Sequence, residues 1–178
     1  MYATIAVAGL ILAITAPAAE AAATRAEYVA DAERVCQTAT KQAKKALRRV
    51  DFSKLERIAD LEEPDKFFRF LAKVNGLTNK PFGRMVKRLY ALEPAPEDEV
   101  LVAQWLDGLG DAKRLTDRSV RSTFRGKYAR AFRFESQAID ALVGGARFVN
   151  GFGFKRCPGG ELITDDTLAS AASHGWTR

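Results

Sequence analysis

Apolar positions recur at helical spacing through most of the chain. The clearest case runs from Arg25 to Val50. At 3.6 residues per turn, Tyr28, Ala32, Val35, Ala39, Ala43, Ala46 and Val50 fall on one face, with Val29, Cys36 and Leu47 at its edge. Lys41, Lys44, Lys45 and Arg48 fall opposite, the pattern of a helix packed on one side. The stretch holds no proline or glycine, and its many alanines let a partner helix come close. Thr24 with Glu27 three residues on has the form of a capping box. The rest of the chain is organised around this helix.

A short second helix is predicted over 54–61, capped by Asp51-Phe52-Ser53. Pro64 and Asp65 then mark another start, since proline fits a first turn and acids suit the positive end of the helix dipole. Phe67, Leu71, Val74, Thr78, Phe82, Met85, Leu89 and Leu92 keep one phase from there. Asn75-Gly76 and Pro81 interrupt the composition but not the phase. The expectation is one kinked helix over 65–92, with two helices meeting near Asn79 as the alternative.

Pro94 and Pro96 hold an extended connection, and a third long helix starts at Pro96 with Glu97, Asp98 and Glu99 in its first turn. Its apolar face carries Val102, Leu106, Leu109, Thr116, Val120 and Phe124, with Trp105 beside them. Gly108 and Gly110 weaken this helix, and Gly126 is the predicted break. The last long helix is expected over 127–150. Its main face would be Tyr128, Phe132, Ile139, Leu142, Val143, Ala146 and Val149, with Glu135 in the middle and a second row through Phe134, Ala141, Gly145 and Phe148. Glycines and Pro158 end regular structure around Cys157. A short helix over 167–173, capped by Asp165-Asp166, is expected in a loosely ordered tail, 158–178.

No repeat and no convincing strand pattern interrupts this sequence of helices. Short loops between them imply an all-α, antiparallel bundle of about four main helices. Residues 3–16 are apolar except for Thr4 and Thr15, and an A-x-A site follows at Ala19-Glu20-Ala21. The expected organisation is a signal peptide (1–21), a helical domain (22–157) and the tail. The location that follows is secreted or cell-envelope. An uncleaved N-terminal membrane anchor is the alternative, because no Lys or Arg precedes the apolar run. In an exported protein, Cys36 and Cys157 read as a disulfide closing a loop across 121 positions, with two free thiols as the alternative.

Candidate chemistry is sparse. One histidine, His174, and no close cysteine pair leave no ligand set of zinc type, no His-dependent triad and no implied cofactor. The glycine pairs follow no strand, so they are not phosphate loops. Glu135 is the one acid on an apolar face, and its expected role is structural, paired with an arginine or reaching to water. The chain carries a net charge of +6, rising to +7 if residues 1–21 are removed. Residues 111–133 concentrate eight basic side chains against Asp111 and Asp117. Arg114, Arg118, Arg121 and Arg125 form a narrow stripe, a candidate anion-binding face or a merely solvated one. Nucleic acid is disfavoured for an exported protein, and aromatics do not interleave with this stripe as a stacking platform requires; Phe68, Phe134 and Phe148 read as core, with an aromatic groove as the alternative.

Three short stretches carry a resemblance: Tyr28…Ala32…Cys36, Leu92-Glu93-Pro94-Ala95-Pro96 followed by Trp105-Leu106, and Gly151-Phe152-Gly153-Phe154…Cys157. In these the chain resembles a group of small exported or membrane-tethered helical proteins of actinobacteria, of unknown function. The resemblance implies a helical bundle with a terminal disulfide and transfers no catalytic residue. The leading expectation is a monomeric, non-enzymatic secreted or envelope protein with a binding or structural role. Second is a carrier or binder of an anionic ligand, acidic envelope polymer or anionic membrane through the arginine stripe. An enzyme of unidentified type is third.

Overall fold

The computed structural model describes residues 23–54, 57 and 63–158. The expected leader lies outside these residues. So do the 54–61 helix, apart from Lys54 and Arg57, and the tail with His174, apart from Pro158. Four long helices account for the described chain: α1 (Arg25–Leu47), α2 (Pro64–Leu89), α3 (Glu99–Phe124) and α4 (Tyr128–Ala146). Single 3-10 turns, Pro96–Asp98 and Arg147–Val149, precede α3 and follow α4, and no strand occurs among the described residues. The all-α reading holds.

Local signals explain most helix ends. Thr24 accepts from the Glu27 backbone while the Glu27 carboxylate accepts from the Thr24 backbone, closing the capping box. Those bonds, backbone first, also hold the Glu27 carboxyl below its usual range. α2 runs unbroken through Gly76 and Pro81, so the one-helix expectation stands, but it stops at Leu89 rather than at Leu92. α4 likewise ends at Ala146, short of Asn150. Between α3 and α4 the chain turns over Arg125, Gly126 and Lys127. Gly126 takes φ +69°, a left-handed value that glycine adopts without steric cost.

Each helix packs against its neighbour in sequence, α1 on α2, α2 on α3 and α3 on α4. Cross-helix bonds fix antiparallel registers. Arg84 donates to Gln42, Asn79 to Asp117 and Tyr90 to Asp107. One core joins these layers, with Trp105, Leu89, Cys36 and Cys157 removed from solvent and Leu109, Val102 and Val149 nearly so. The buried face of α1 is centred on Tyr28, Ala32, Cys36 and Ala39, so Cys36 lies at the middle of the packed face and not at its edge.

α3 and α4 meet at their glycines. A Cβ on Gly108 would lie 2.7 Å from the Ala141 carbonyl oxygen and 2.9 Å from the Gly145 Cα. A Cβ on Gly145 would lie 3.1 Å from the Gly108 Cα. This contact sets which side of α4 is buried. Ala131, Ala138, Gly145 and Ala146 turn inward, whereas Phe132 and Ile139 stay 37% and 50% exposed. The expectation of a large-residue main face on α4 is therefore corrected. A backbone-to-backbone approach admits only small side chains, and the large ones rotate to the flank.

The segment after α4 returns to close the fold. Cys157 is bonded to Cys36, as expected. The Glu33 carboxylate accepts from three successive backbone groups, Lys155, Arg156 and Cys157, at 2.7, 2.8 and 3.3 Å. Phe154 stacks on Trp105 with centroids 4.9 Å apart, and the Trp105 indole donates to the Pro158 carbonyl. Asp98, foreseen only as a helix-start acid, is buried and accepts both arms of the Arg25 guanidinium at 2.5 and 2.6 Å. That guanidinium also lies 4.7 Å from the Phe152 ring centroid. Arg25 thus ties α1, the entrance to α3 and the returning segment together.

Two stability predictions follow from this packing. Gly108→Ala should destabilise by about 1–3 kcal/mol through overpacking, despite alanine's better helix propensity. Gly76→Ala, with no atom near the added methyl, should stabilise by about 0.5–1 kcal/mol. Chemical unfolding of both variants checks the opposite signs. The Tyr28 hydroxyl is buried without a hydrogen-bond partner among the described residues, and burial pushes its pKa up to about 12. The phenol ionises in the unfolded chain near pH ~10 but later in the folded one. Its stability contribution is therefore full below pH ~10 and falls as pH rises toward 12, by about 1.4 kcal/mol per unit. Tyr28→Phe should be no less stable at pH 7 and should lose less stability between pH ~10 and 12.

Candidate functional site

The arginine stripe lies where the helical spacing puts it. Arg114, Arg118, Arg121 and Arg125 are all exposed, on the side of α3 away from the core. The acids of this stretch are already engaged. Asp111 pairs with Arg114 at 2.9 Å. Asp117 turns inward, accepting from Asn79 at 2.7 Å and from Lys113 at 2.5 Å. From residue 118 to 133 the chain then carries six cations and no acid. They are Arg118, Arg121, Arg125, Lys127, Arg130 and Arg133, every one of them exposed.

Two of these cations are ordered by an aromatic ring that the sequence reading had assigned to the core. Phe134 is half-buried, with the Arg118 guanidinium 5.9 Å from its centroid and that of Arg130 5.6 Å away. The negative face of the ring offsets part of the repulsion between the two charges. The spacing of Arg130 and Phe134, four apart on α4, was visible in the sequence. Their approach to Arg118 depends on the α3–α4 register. Arg121, Arg125, Lys127 and Arg133 have no acidic partner among the described residues. Their charge is left for solvent or for an external anion.

A separate cleft of about 320 Å³ opens between α1, α2 and the returning segment. Ala39, Ala43, Phe82 and Met85 supply its apolar wall, and Arg156 its one cation. None of the four stripe arginines lines it, so stripe and cleft are distinct places. Its hydroxyls are committed internally, with Thr40 donating to the Cys36 carbonyl and Thr78 to that of Asn75. The cleft was not legible in the sequence, because its walls come from segments up to 119 positions apart.

Glu135 is half-buried and faces α2, where the Asn75 amide lies 3.5 Å from its carboxylate, at the outer limit of a hydrogen bond. Its described neighbour is an amide, so of the two structural expectations the arginine pair does not form among the described residues. Cys36 and Cys157 are fully buried in their mutual bond and act structurally. Among the described residues no group of three His, Cys, Asp or Glu side chains could hold a metal ion. No described helix is long and apolar enough to cross a membrane. No family model, no curated protein and no solved structure matches the chain.

Proposed function

We propose that this is a non-enzymatic binding protein, and that its α3–α4 hairpin attaches to a polyanionic surface. The observation that carries the reading is the run of six exposed cations without an acid over 118–133. Like charges placed at i,i+4 on a helix cost a few tenths of a kcal/mol per pair. Among the described residues no ion pair engages the side chains of Arg121, Arg125, Lys127 or Arg133. An external anion supplies both the missing counter-charge and a use for the arrangement, since guanidinium groups bind phosphate and carboxylate through paired N–H donors. The buried Cys36–Cys157 bond supports an extracytoplasmic site of action, where disulfides persist.

Salt dependence tests the reading. The wild-type protein should be retained on an immobilised polyanion at low ionic strength and released as salt rises, because exposed charges are screened over about 10 Å at 0.1 M. An Arg121→Gln/Arg125→Gln variant should bind several-fold more weakly at low salt, with circular dichroism unchanged. Equal retention of variant and wild type would show that the hairpin is a solvated face only.

A further inference from the structure

The antiparallel registers bring the C-terminal ends of α1 and α3 and the N-terminal ends of α2 and α4 to one end of the bundle. An aromatic belt crosses that end. Phe52, from the connection after α1, packs edge-on against Phe70 of α2 at 6.3 Å. Phe68 of α2 contacts Tyr128 and Phe132 of α4 at 4.9 and 5.3 Å. Two members of this end project from it, with Phe52 47% and Phe124 46% exposed. The same end carries Arg48, Arg49, Arg125 and Lys127, exposed and without an acidic partner among the described residues. Among the described residues, the acids of this end are Asp51, which lies 4.0 and 3.9 Å from Lys54 and Arg57, Glu63, which pairs with Lys66 at 2.5 Å, and Asp65, which lies against Tyr128.

A soluble polyanion makes use of the cations but not of the phenylalanines. Two exposed phenyl rings at an end that also carries four exposed cations are matched by a boundary where negative charge and an apolar phase lie side by side. The interface of an anionic lipid bilayer is such a boundary, with lipid phosphates at the level of the guanidinium groups and acyl chains just beneath. Aromatic side chains favour that depth. On the basis of the polyanion-binding reading above, we infer that the protein docks end-on to an anionic membrane surface. Phe52 and Phe124 enter the headgroup region, and Arg48, Arg49, Arg125 and Lys127 contact lipid phosphates. The stripe, which ends at Arg125, extends the same positive field up the side of α3.

Co-sedimentation with vesicles tests this inference, with soluble polyglutamate as a parallel arm. Wild type should bind phosphatidylglycerol/phosphatidylcholine vesicles at low salt and ignore pure phosphatidylcholine. Phe52→Ser/Phe124→Ser should weaken partitioning to the anionic vesicles about ten-fold and leave polyglutamate binding unchanged. Arg48→Gln/Arg49→Gln, on exposed positions of the turn after α1 and apart from the stripe, should also weaken vesicle binding, and it stands in if the serine variant misfolds. Wild-type binding to polyglutamate but not to anionic vesicles overturns the membrane inference and leaves the polyanion reading intact. So does vesicle binding by both variants equal to that of wild type. Binding to neither ligand overturns both.

Discussion

Closure of the C-terminal segment onto α1 is the constraint on which the rest of this fold depends. Each of the four helices packs mainly on its sequence neighbour, an arrangement that by itself leaves α1 and α4 at opposite edges. Residues 150–158 join the edges. Cys157 is bonded to α1, Phe154 covers Trp105 of α3, and the Glu33 carboxylate gathers three backbone N–H groups that would otherwise need water. The interactions are of different kinds and act on the same nine residues. A covalent cross-link limits the unfolded chain, the stacked rings bury apolar area, and the carboxylate satisfies donors in a region without regular structure.

The second determinant is the glycine crossing of α3 and α4. Because Gly108 and Gly145 bring two backbones nearly into contact, the hairpin is tight and its rotation is fixed. One consequence is steric, the outward turn of Phe132 and Ile139. Another is electrostatic. The same rotation brings Arg118 of α3 and Arg130 of α4 to the same Phe134 ring. Packing on the inside of the hairpin thus decides how charge is displayed on its outside.

Charge is distributed unevenly over the molecule. Acids near the core are engaged, Asp98 by Arg25 and Asp117 by Asn79 and Lys113. Cations without an acidic partner among the described residues include Arg121, Arg125, Lys127 and Arg133 of the α3–α4 hairpin and Arg48 and Arg49 at the aromatic end, beside others on α1 and α2 such as Lys41, Lys44, Lys73 and Lys80. The acid-free run over 118–133 adds a local positive field on the hairpin, which favours approach of a negatively charged surface there. The apolar cleft beside Arg156 is a different environment, walled by α1 and α2 and separate from this basic face.

The sequence by itself determined the helices, because their signals are local. Period 3.6 fixed α1 and the unbroken α2, the Thr24–Glu27 pair fixed one start, and Gly126 fixed the turn. It also placed the four stripe arginines on one exposed face, since spacing within a helix needs no partner. The pairing of Cys36 with Cys157 was legible because the described chain offers each cysteine no other. What only the tertiary structure decided depends on which helix meets which, and at what register. That choice buried Asp98 against Arg25, brought Gly108 and Gly145 into a close backbone contact between α3 and α4, and sent Phe132 outward where periodicity had placed it inside. Phe124 was likewise placed on an apolar face by spacing yet is 46% exposed, and Phe52 was read only as part of a capping segment. They belong to an exposed aromatic end only because antiparallel packing brings two distant helix termini together, and no local signal in a chain encodes the distance between two of its ends.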